Sequence, residues 1–191
     1  MSQRQALRAQ FRALRQALPP NTQQQHAHAV VRALLAAPPL QKATCIAAYL
    51  ADDGEVDLAS LLIELTRRGQ RVALPRVGPG QTMTFHEYLG PAALTTNRFG
   101  IAEPAADAPH IAADEIELLL LPLVAFDSQL TRLGRGGGYY DRYLSSYSTS
   151  ARPTLIGVAH CCQRSEELLP REPWDVPLDL VVTERDWHRP E

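Results

Sequence analysis

The stretch that most constrains this chain runs from Leu121 to Leu144, LPLVAFDSQLTRLGRGGGYYDRYL. It leaves an apolar strand, Ile116 to Leu121, passes Pro122, and then places four glycines within five residues: Gly134, Gly136, Gly137 and Gly138, interrupted only by Arg135. A helix is predicted from Tyr139 onward. Glycine supplies no side-chain packing and loses much conformational freedom on folding. A run of glycines therefore implies backbone close to a ligand, or torsions that other residues avoid. At a strand-to-helix junction the fitting ligand is an anion, because successive N–H groups and the helix dipole favour negative charge there. Arg132 and Arg135 flank the run with guanidinium groups suited to phosphate oxygens. The stretch reads as a phosphate cradle rather than a glycine-rich hairpin or surface loop.

Two familiar nucleotide templates do not fit it. The P-loop needs a lysine after its second glycine, and none is present. The dinucleotide pattern, begun at Gly134, needs glycine at position 139 and meets Tyr139. Lys42 is the only lysine in the chain, so phosphate chemistry here must rely on arginine, backbone and metal. Charge is also unevenly spread. Residues 1–51 hold six basic residues and no acid, whereas the remainder holds thirteen basic and twenty-one acidic residues. Such a basic arm can serve nucleic acid, or it can supply arginines to a phosphate site elsewhere in the fold.

At 191 residues the chain is expected to form a single domain, 1–191, able to bury a full core. No apolar run is long enough to span a membrane, and the arginine- and glutamine-rich start does not resemble a signal peptide. Three cysteines without C-x-x-C spacing suggest free thiols in a reducing compartment, with the cytoplasm as the expected location.

In chain order, residues 2–18 read as an amphipathic helix with Leu7, Phe11, Leu14 and Leu18 on one stripe and Arg4, Arg8, Arg12 and Arg15 beside it. Arg12 and Arg15 read as a solvated edge. A second helix is expected at about 22–36, ending before Pro38-Pro39, with His26 and His28 on its surface. A buried strand from Thr44 to Leu50 precedes the acidic turn ADDGEVD, in which Asp52 and Asp53 read as solvated. A helix from about Leu58 to Arg68, with Asp57 as its cap, comes next. Strands are expected at 71–74, 82–88, 154–159 and 179–184, and residues 89–115 read as irregular. Apolar strands alternating with helices indicate an α/β fold, three layers around a largely parallel sheet. Ligands in such folds gather at the carboxyl ends of the strands. Asp141, in the first turn of the predicted helix, is placed to hold Mg²⁺ beside a polyphosphate. His160, Cys161 and Cys162 match no zinc template and read as structural.

The core RLGRGGGYYDRYL, preceded by PLVAFD, resembles the signature of the 5-formyltetrahydrofolate cyclo-ligases, and further matches spread from Arg4 to Thr183. The resemblance implies a three-layer α/β/α fold and ATP- and Mg²⁺-dependent closure of 5-formyltetrahydrofolate to 5,10-methenyltetrahydrofolate. It implies ATP contacts at Arg4, where the family has lysine, at Arg8, and along Arg132, Leu133, Gly134, Arg135, Gly136, Gly137, Gly138, Tyr139 and Tyr140. Folate contacts are implied at Leu50, at Glu55 and across Arg135 to Tyr139. Mg²⁺ ligands are implied at Asp141 and at Asp179, the latter taken in preference to Asp175. Arg135 and Asp141 are the expected catalytic residues, and the implied partners are ATP and 5-formyltetrahydrofolate, polyglutamylated forms included. A monomer without nucleic-acid or membrane partners is expected. Two other readings would use the same features: a different ATP-dependent kinase or ligase, or a nucleic-acid-binding protein using the basic arm.

Overall fold

The computed structural model describes residues 2–97, 100–147 and 152–190. The first elements are helices α1 (Gln3–Gln16), α2 (Pro20–Ala36) and α3 (Pro38–Lys42), then strand β1 (Cys45–Ala47), α4 (Ala59–Arg67), β2 (Arg71–Val77) and β3 (Met83–Glu87). Short strands β4 (Leu94–Thr96), β5 (Ala102–Pro104) and β6 (His110–Ile111) precede β7 (Leu118–Pro122). The chain continues through β8 (Ala125–Phe126), β9 (Arg132–Leu133), α5 (Tyr139–Leu144), β10 (Thr154–Val158), β11 (Leu180–Val182) and β12 (Trp187–His188).

Alternation along the central strands decides the layering. Successive strand side chains point to opposite faces. Ile46, Leu118, Leu120 and Ile156 enter one apolar cluster with Val30, Leu34, Leu61 and Leu65 of α2 and α4. Ala47, Leu119, Leu121 and Leu155 enter the other, with Phe85 and Leu144. Leu118 to Leu121 are each at most 1% exposed. A fully buried leucine contributes roughly 1.5–3 kcal/mol, so this one strand supplies much of the driving force on both faces.

The main sheet runs β12-β11-β10-β7-β1-β2-β3-β6. Its centre, from β11 to β2, is parallel, and the edges formed by β12, β3 and β6 are antiparallel. The expected largely parallel sheet is therefore a mixed one with a parallel middle. Because the middle is parallel, the carboxyl ends of β1, β7, β10 and β11 share one edge of the molecule, and the functional loops collect there.

Several local expectations change in the folded chain. Pro38-Pro39 opens α3 rather than only ending α2, since proline suits a helix's first turn. Strand β2 continues through Pro75 because Pro75 pairs with Phe85 of an antiparallel neighbour. Part of 89–115 is ordered as the hairpin β4–β5 and the edge strand β6. Leu58 rather than Asp57 caps α4, although the Asp57 carboxylate accepts the Ala59 N–H at 2.8 Å. Leu14 is exposed, and the buried residues of α1 are Phe11 and Arg15. Among the described residues, no helix is long and apolar enough to cross a membrane.

Candidate active site

Strand β7 does not pass directly into the glycine loop. The small hairpin β8–β9 intervenes, closed by the Val124 N–H donating to the Leu133 carbonyl at 2.7 Å. Its turn is organised by the buried Asp127. One carboxylate oxygen accepts from the N–H groups of Gln129 and Thr131, at 3.0 and 2.9 Å, and the other from Leu169 at 2.9 Å. Leu130 holds a left-handed φ of 56° in this turn. A carboxylate with three backbone donors fixes a loop strongly. It delivers Arg132, itself buried, to the start of the glycine run.

Two glycines in the run are required by geometry. Gly136 has φ 102°, and a β-carbon there would lie 3.4 Å from the Arg8 guanidinium carbon. Gly138 has φ 65° and opens α5. Arg8 Nε donates to the Gly134 carbonyl at 2.8 Å, so the N-terminal helix grips the loop from one side. Among the described residues, Gly136, Gly137 and Gly138 donate no backbone hydrogen bond, which leaves three N–H groups for a ligand. Helix α5 is six residues long, so arginines and loop amides outweigh its dipole.

Three arginines around the loop, Arg132, Arg4 and Arg135, are matched to carboxylates. Arg132 Nη2 donates to Asp141 at 2.5 Å, and its guanidinium lies 5.7 Å from the centre of the Tyr140 ring. Arg4 donates to both oxygens of Asp175, at 2.9 and 3.3 Å. Arg135 donates to the Asp52 carboxylate at 2.6 Å, to the Asp52 carbonyl at 2.9 Å, and to Glu55 at 3.2 Å. Burial pushes the Glu55 carboxyl up, against the pull of Arg135 and Arg15. Burial likewise raises the Tyr140 hydroxyl well above its ordinary range. The side-chain nitrogens Arg4 Nε and Arg132 Nε are buried without a partner among the described residues. Unpaired buried donors in a cleft suit an anion.

Two cavities share this wall. The first, about 340 Å³, is lined by Arg4, Arg8, Arg132, the glycine loop, Asp141, Trp174 and Asp175. The second, about 390 Å³, is mainly apolar, with Leu50, Leu74, Val77, Met83 and Ile101 in its walls. Glu55, Pro122, Arg135, Gly137, Tyr139 and Tyr140 line both. The structure thus brings together nearly every residue that the sequence pointed to, from elements far apart in the chain.

Two do not join. Leu133 is 1% exposed and packs with Phe11, Val124, Ala125 and Leu169, so only its backbone adjoins the loop. Asp179 is held by Arg152 at 2.6 Å on each oxygen and by the Leu155 N–H at 2.8 Å, and it lines neither cavity. Its carboxylate ties β10 to the chain entering β11. Asp175, four residues earlier, is the one that reaches the first cavity. With Asp141 it offers the hard oxygen donors that Mg²⁺ uses.

The acidic turn and α1 also differ from expectation. Arg15 is fully buried, donating to the Asp53 carboxylate at 2.7 Å, the Asp53 carbonyl at 2.9 Å and the Leu123 carbonyl at 3.1 Å. Arg12 donates to the same carboxylate at 2.8 Å. The Arg12 hydrogen bond, helped by those of Gln16 and the nearby Arg15 charge, holds the Asp53 carboxyl at about 2. These four side chains lock α1 onto the turn that presents Asp52 and Glu55 to Arg135. Sequence reading missed Trp174 and the role of Asp52 at the cavity wall, which no local pattern marks, and it preferred Asp179 to Asp175. Asp127 carried a signal, since it ends the PLVAFD segment.

Known proteins resemble this chain along almost all of its length. Residues 1–184 match the model of the 5-formyltetrahydrofolate cyclo-ligase family. The 5-formyltetrahydrofolate cyclo-ligase of Escherichia coli K12 is 38% identical over 176 residues, which is 91% of this chain and 96% of that one. That of Haemophilus influenzae is 36% identical over 183 residues, covering 94% and 97%. The solved 5,10-methenyltetrahydrofolate synthetase of Aquifex aeolicus superposes with a TM-score of 0.86 at 32% identity, covering 98% of this chain and 93% of that one. The synthetase of Mycoplasma pneumoniae gives 0.77 at 25% identity, covering 96% and 100%. On the match along almost its whole length, this chain belongs to the 5-formyltetrahydrofolate cyclo-ligase family of enzymes.

Proposed function

We propose that this enzyme closes 5-formyltetrahydrofolate to 5,10-methenyltetrahydrofolate at the expense of ATP, releasing ADP and phosphate. The observation that supports the reading best is the shared wall between an arginine-lined cavity and an apolar one. A polyphosphate suits the first and a flat heterocycle the second, so the two reactive ends would meet at Arg135, Gly137 and Tyr139.

The formyl oxygen of an N-formyl group is a poor leaving group, which is why the reaction needs ATP. In the first step that oxygen attacks the γ-phosphorus, the bridging P–O bond breaks, and ADP leaves. The N10 lone pair then attacks the activated formyl carbon. Cleavage of the C–O bond expels phosphate, and N10 loses its proton. Little covalent chemistry is asked of the protein; it must align the groups in line and neutralise charge.

Arg4, Arg8, Arg132 and the amides from Gly134 to Tyr140 would take the phosphates. Arg135, at the shared wall, would face the transferring phosphoryl group. Leu50 and Glu55 would contact the pterin, with the Glu55 carboxylate accepting from ring N–H groups and Tyr139 stacking beside it. The existing ion pairs suggest how the site recharges. Phosphate oxygens would replace carboxylates on Arg132 and Arg4, freeing Asp141 and Asp175 to hold Mg²⁺. Bound there, Mg²⁺ supplies positive charge to the phosphate oxygens. The protein is read as a monomeric cytoplasmic enzyme.

The test uses purified protein, 5-formyltetrahydrofolate, ATP and Mg²⁺, with near-ultraviolet absorbance of the conjugated methenyl product and ADP release followed together. Product should appear only with all three additions, one ADP per methenyl group. A folded protein that binds ATP yet forms no methenyl product would overturn the reading.

A further inference from the structure

The acid-and-arginine site does not use three residues gathered at the far part of the same sheet edge. Strands β10 and β11 are parallel neighbours in register at Val158 and Val182. Two residues beyond that pair stand His160 and Glu184, brought side by side by the register. Helix α2 packs against β11 and presents His26 to both. In the sequence His26 reads as a surface residue; its side chain is in fact 19% exposed, with Glu184 at 8% and His160 fully buried.

The two Nδ1 atoms are 3.0 Å apart, and Glu184 Oε1 lies 3.6 Å from that of His26. One ligand atom from each of the three falls within 4.8 Å of the others. A tetrahedral Zn²⁺ with bonds of about 2.0–2.1 Å needs ligand atoms roughly 3.3 Å apart. The observed spacings bracket that value. Supporting contacts orient the donors too. His160 Nε2 is 3.2 Å from the Gly54 carbonyl, the arrangement that protonates Nε2 and leaves the Nδ1 lone pair pointing inward. The second oxygen of Glu184 accepts the Cys161 N–H at 2.9 Å, which aims the first at the histidines.

We propose that His26, His160 and Glu184 form a binding site for one transition-metal ion of the Zn²⁺ class, separate from the arginine-lined cavity. Two imidazoles and one carboxylate favour Zn²⁺ and its first-row neighbours over Mg²⁺, which takes oxygen donors. Three protein ligands leave one coordination position for water. The ion would join α2 to the ends of β10 and β11. Through the Gly54 carbonyl it would also steady the turn whose Asp52 and Glu55 hold Arg135. The proposal stands independently of the folate chemistry.

The test is a Co²⁺ titration of chelator-stripped full-length protein, read by visible absorption and reversed by Zn²⁺. One Co²⁺ per chain is expected. His26→Gln and Glu184→Gln, each checked for folding by circular dichroism, should weaken binding at least tenfold, the lower end of what loss of even an outer-shell partner costs. A Cys161→Ser/Cys162→Ser double variant should retain it. X-ray absorption on the wild-type Zn²⁺ complex supplies a check that needs no variant, and imidazole scattering is expected. Absence of saturable one-to-one binding, less than tenfold weakening in both variants, or a metal shell without imidazole would each overturn the assignment.

Discussion

Helix α1 carries one stripe of four arginines whose two halves meet different surroundings. Arg4 and Arg8 reach the first cavity, where their partners are Asp175 and a loop carbonyl and where some of their donors remain unpaired. Arg12 and Arg15 reach the acidic turn, where Asp53 engages both and Arg15 is sealed from water. Residue type is the same in both halves, and both pairs are one helical turn apart, by four residues in the first and three in the second. What differs is the opposing surface, a cleft wall in one case and a turn that fits the guanidinium in the other. An arginine is thus a ligand-binding group where its neighbours leave donors exposed to a cavity, and a structural one where backbone carbonyls and a carboxylate use them up.

The sharpest way to break this contrast is Arg15→Met. Removing the cation deletes three charged hydrogen bonds in a dry setting, although Asp53 keeps Arg12 and Gln16 and the Leu123 carbonyl keeps Gln163, so the cost is about 3 kcal/mol or more. Chemical denaturation should show that loss, while the KM for ATP of the folded fraction stays near wild type. Asp141→Asn tests the cavity side. It should fold normally and lower kcat by about 10²–10³-fold, the range for a removed transition-state charge contact. Near-normal turnover with an ordinary Mg²⁺ requirement would remove Asp141 from the metal site.

Arg4→Ala and Arg8→Ala should each raise the KM for ATP by roughly tenfold or more, as expected for a lost charged hydrogen bond of about 1.5–3 kcal/mol, with little change in melting temperature. If either instead unfolds the protein while leaving KM alone, the division of the helix fails. The pH dependence of stability sharpens it further. Asp53 titrates at about 2 in the folded protein, below its ordinary 3.8, so the unfolded chain binds the proton more readily. Its contribution is therefore fully present above pH 4 and is lost as pH falls towards 2. Asp53→Asn should flatten that acid limb in urea titrations. Arg12→Ala should have the smallest effect, below about 1 kcal/mol, because its side chain is 49% exposed.

Much of this was legible in the chain. The leucine run Leu118–Leu121, the glycine cluster, its flanking arginines and Asp141 lie within one continuous segment, so local pattern was enough to mark a buried strand followed by an anion-binding loop. The Arg8 position and Glu55 came through family resemblance, and both line the first cavity. The misses share a cause. Asp179 and Asp175 look alike in sequence, and only the position of Arg152 beside one and Arg4 beside the other separates them. His26 and His28 look alike as well, yet only His26 faces the ends of β10 and β11. Arg15 reads as solvated in the sequence because a charged residue is seldom buried, and it is buried because a turn thirty-eight residues away supplies its counter-charge.

By itself, then, the sequence determined the alternating α/β plan, the anion-binding character of the segment from Arg132 to Asp141, and membership of a family whose motif that segment carries. These are properties of contiguous residues, set by side-chain periodicity and backbone freedom. The tertiary structure alone decided which arginines face a cavity, which aspartate joins Asp141 there, and that two histidines and a glutamate meet. Those outcomes depend on strand register and helix docking, where residues more than a hundred positions apart come within hydrogen-bond distance.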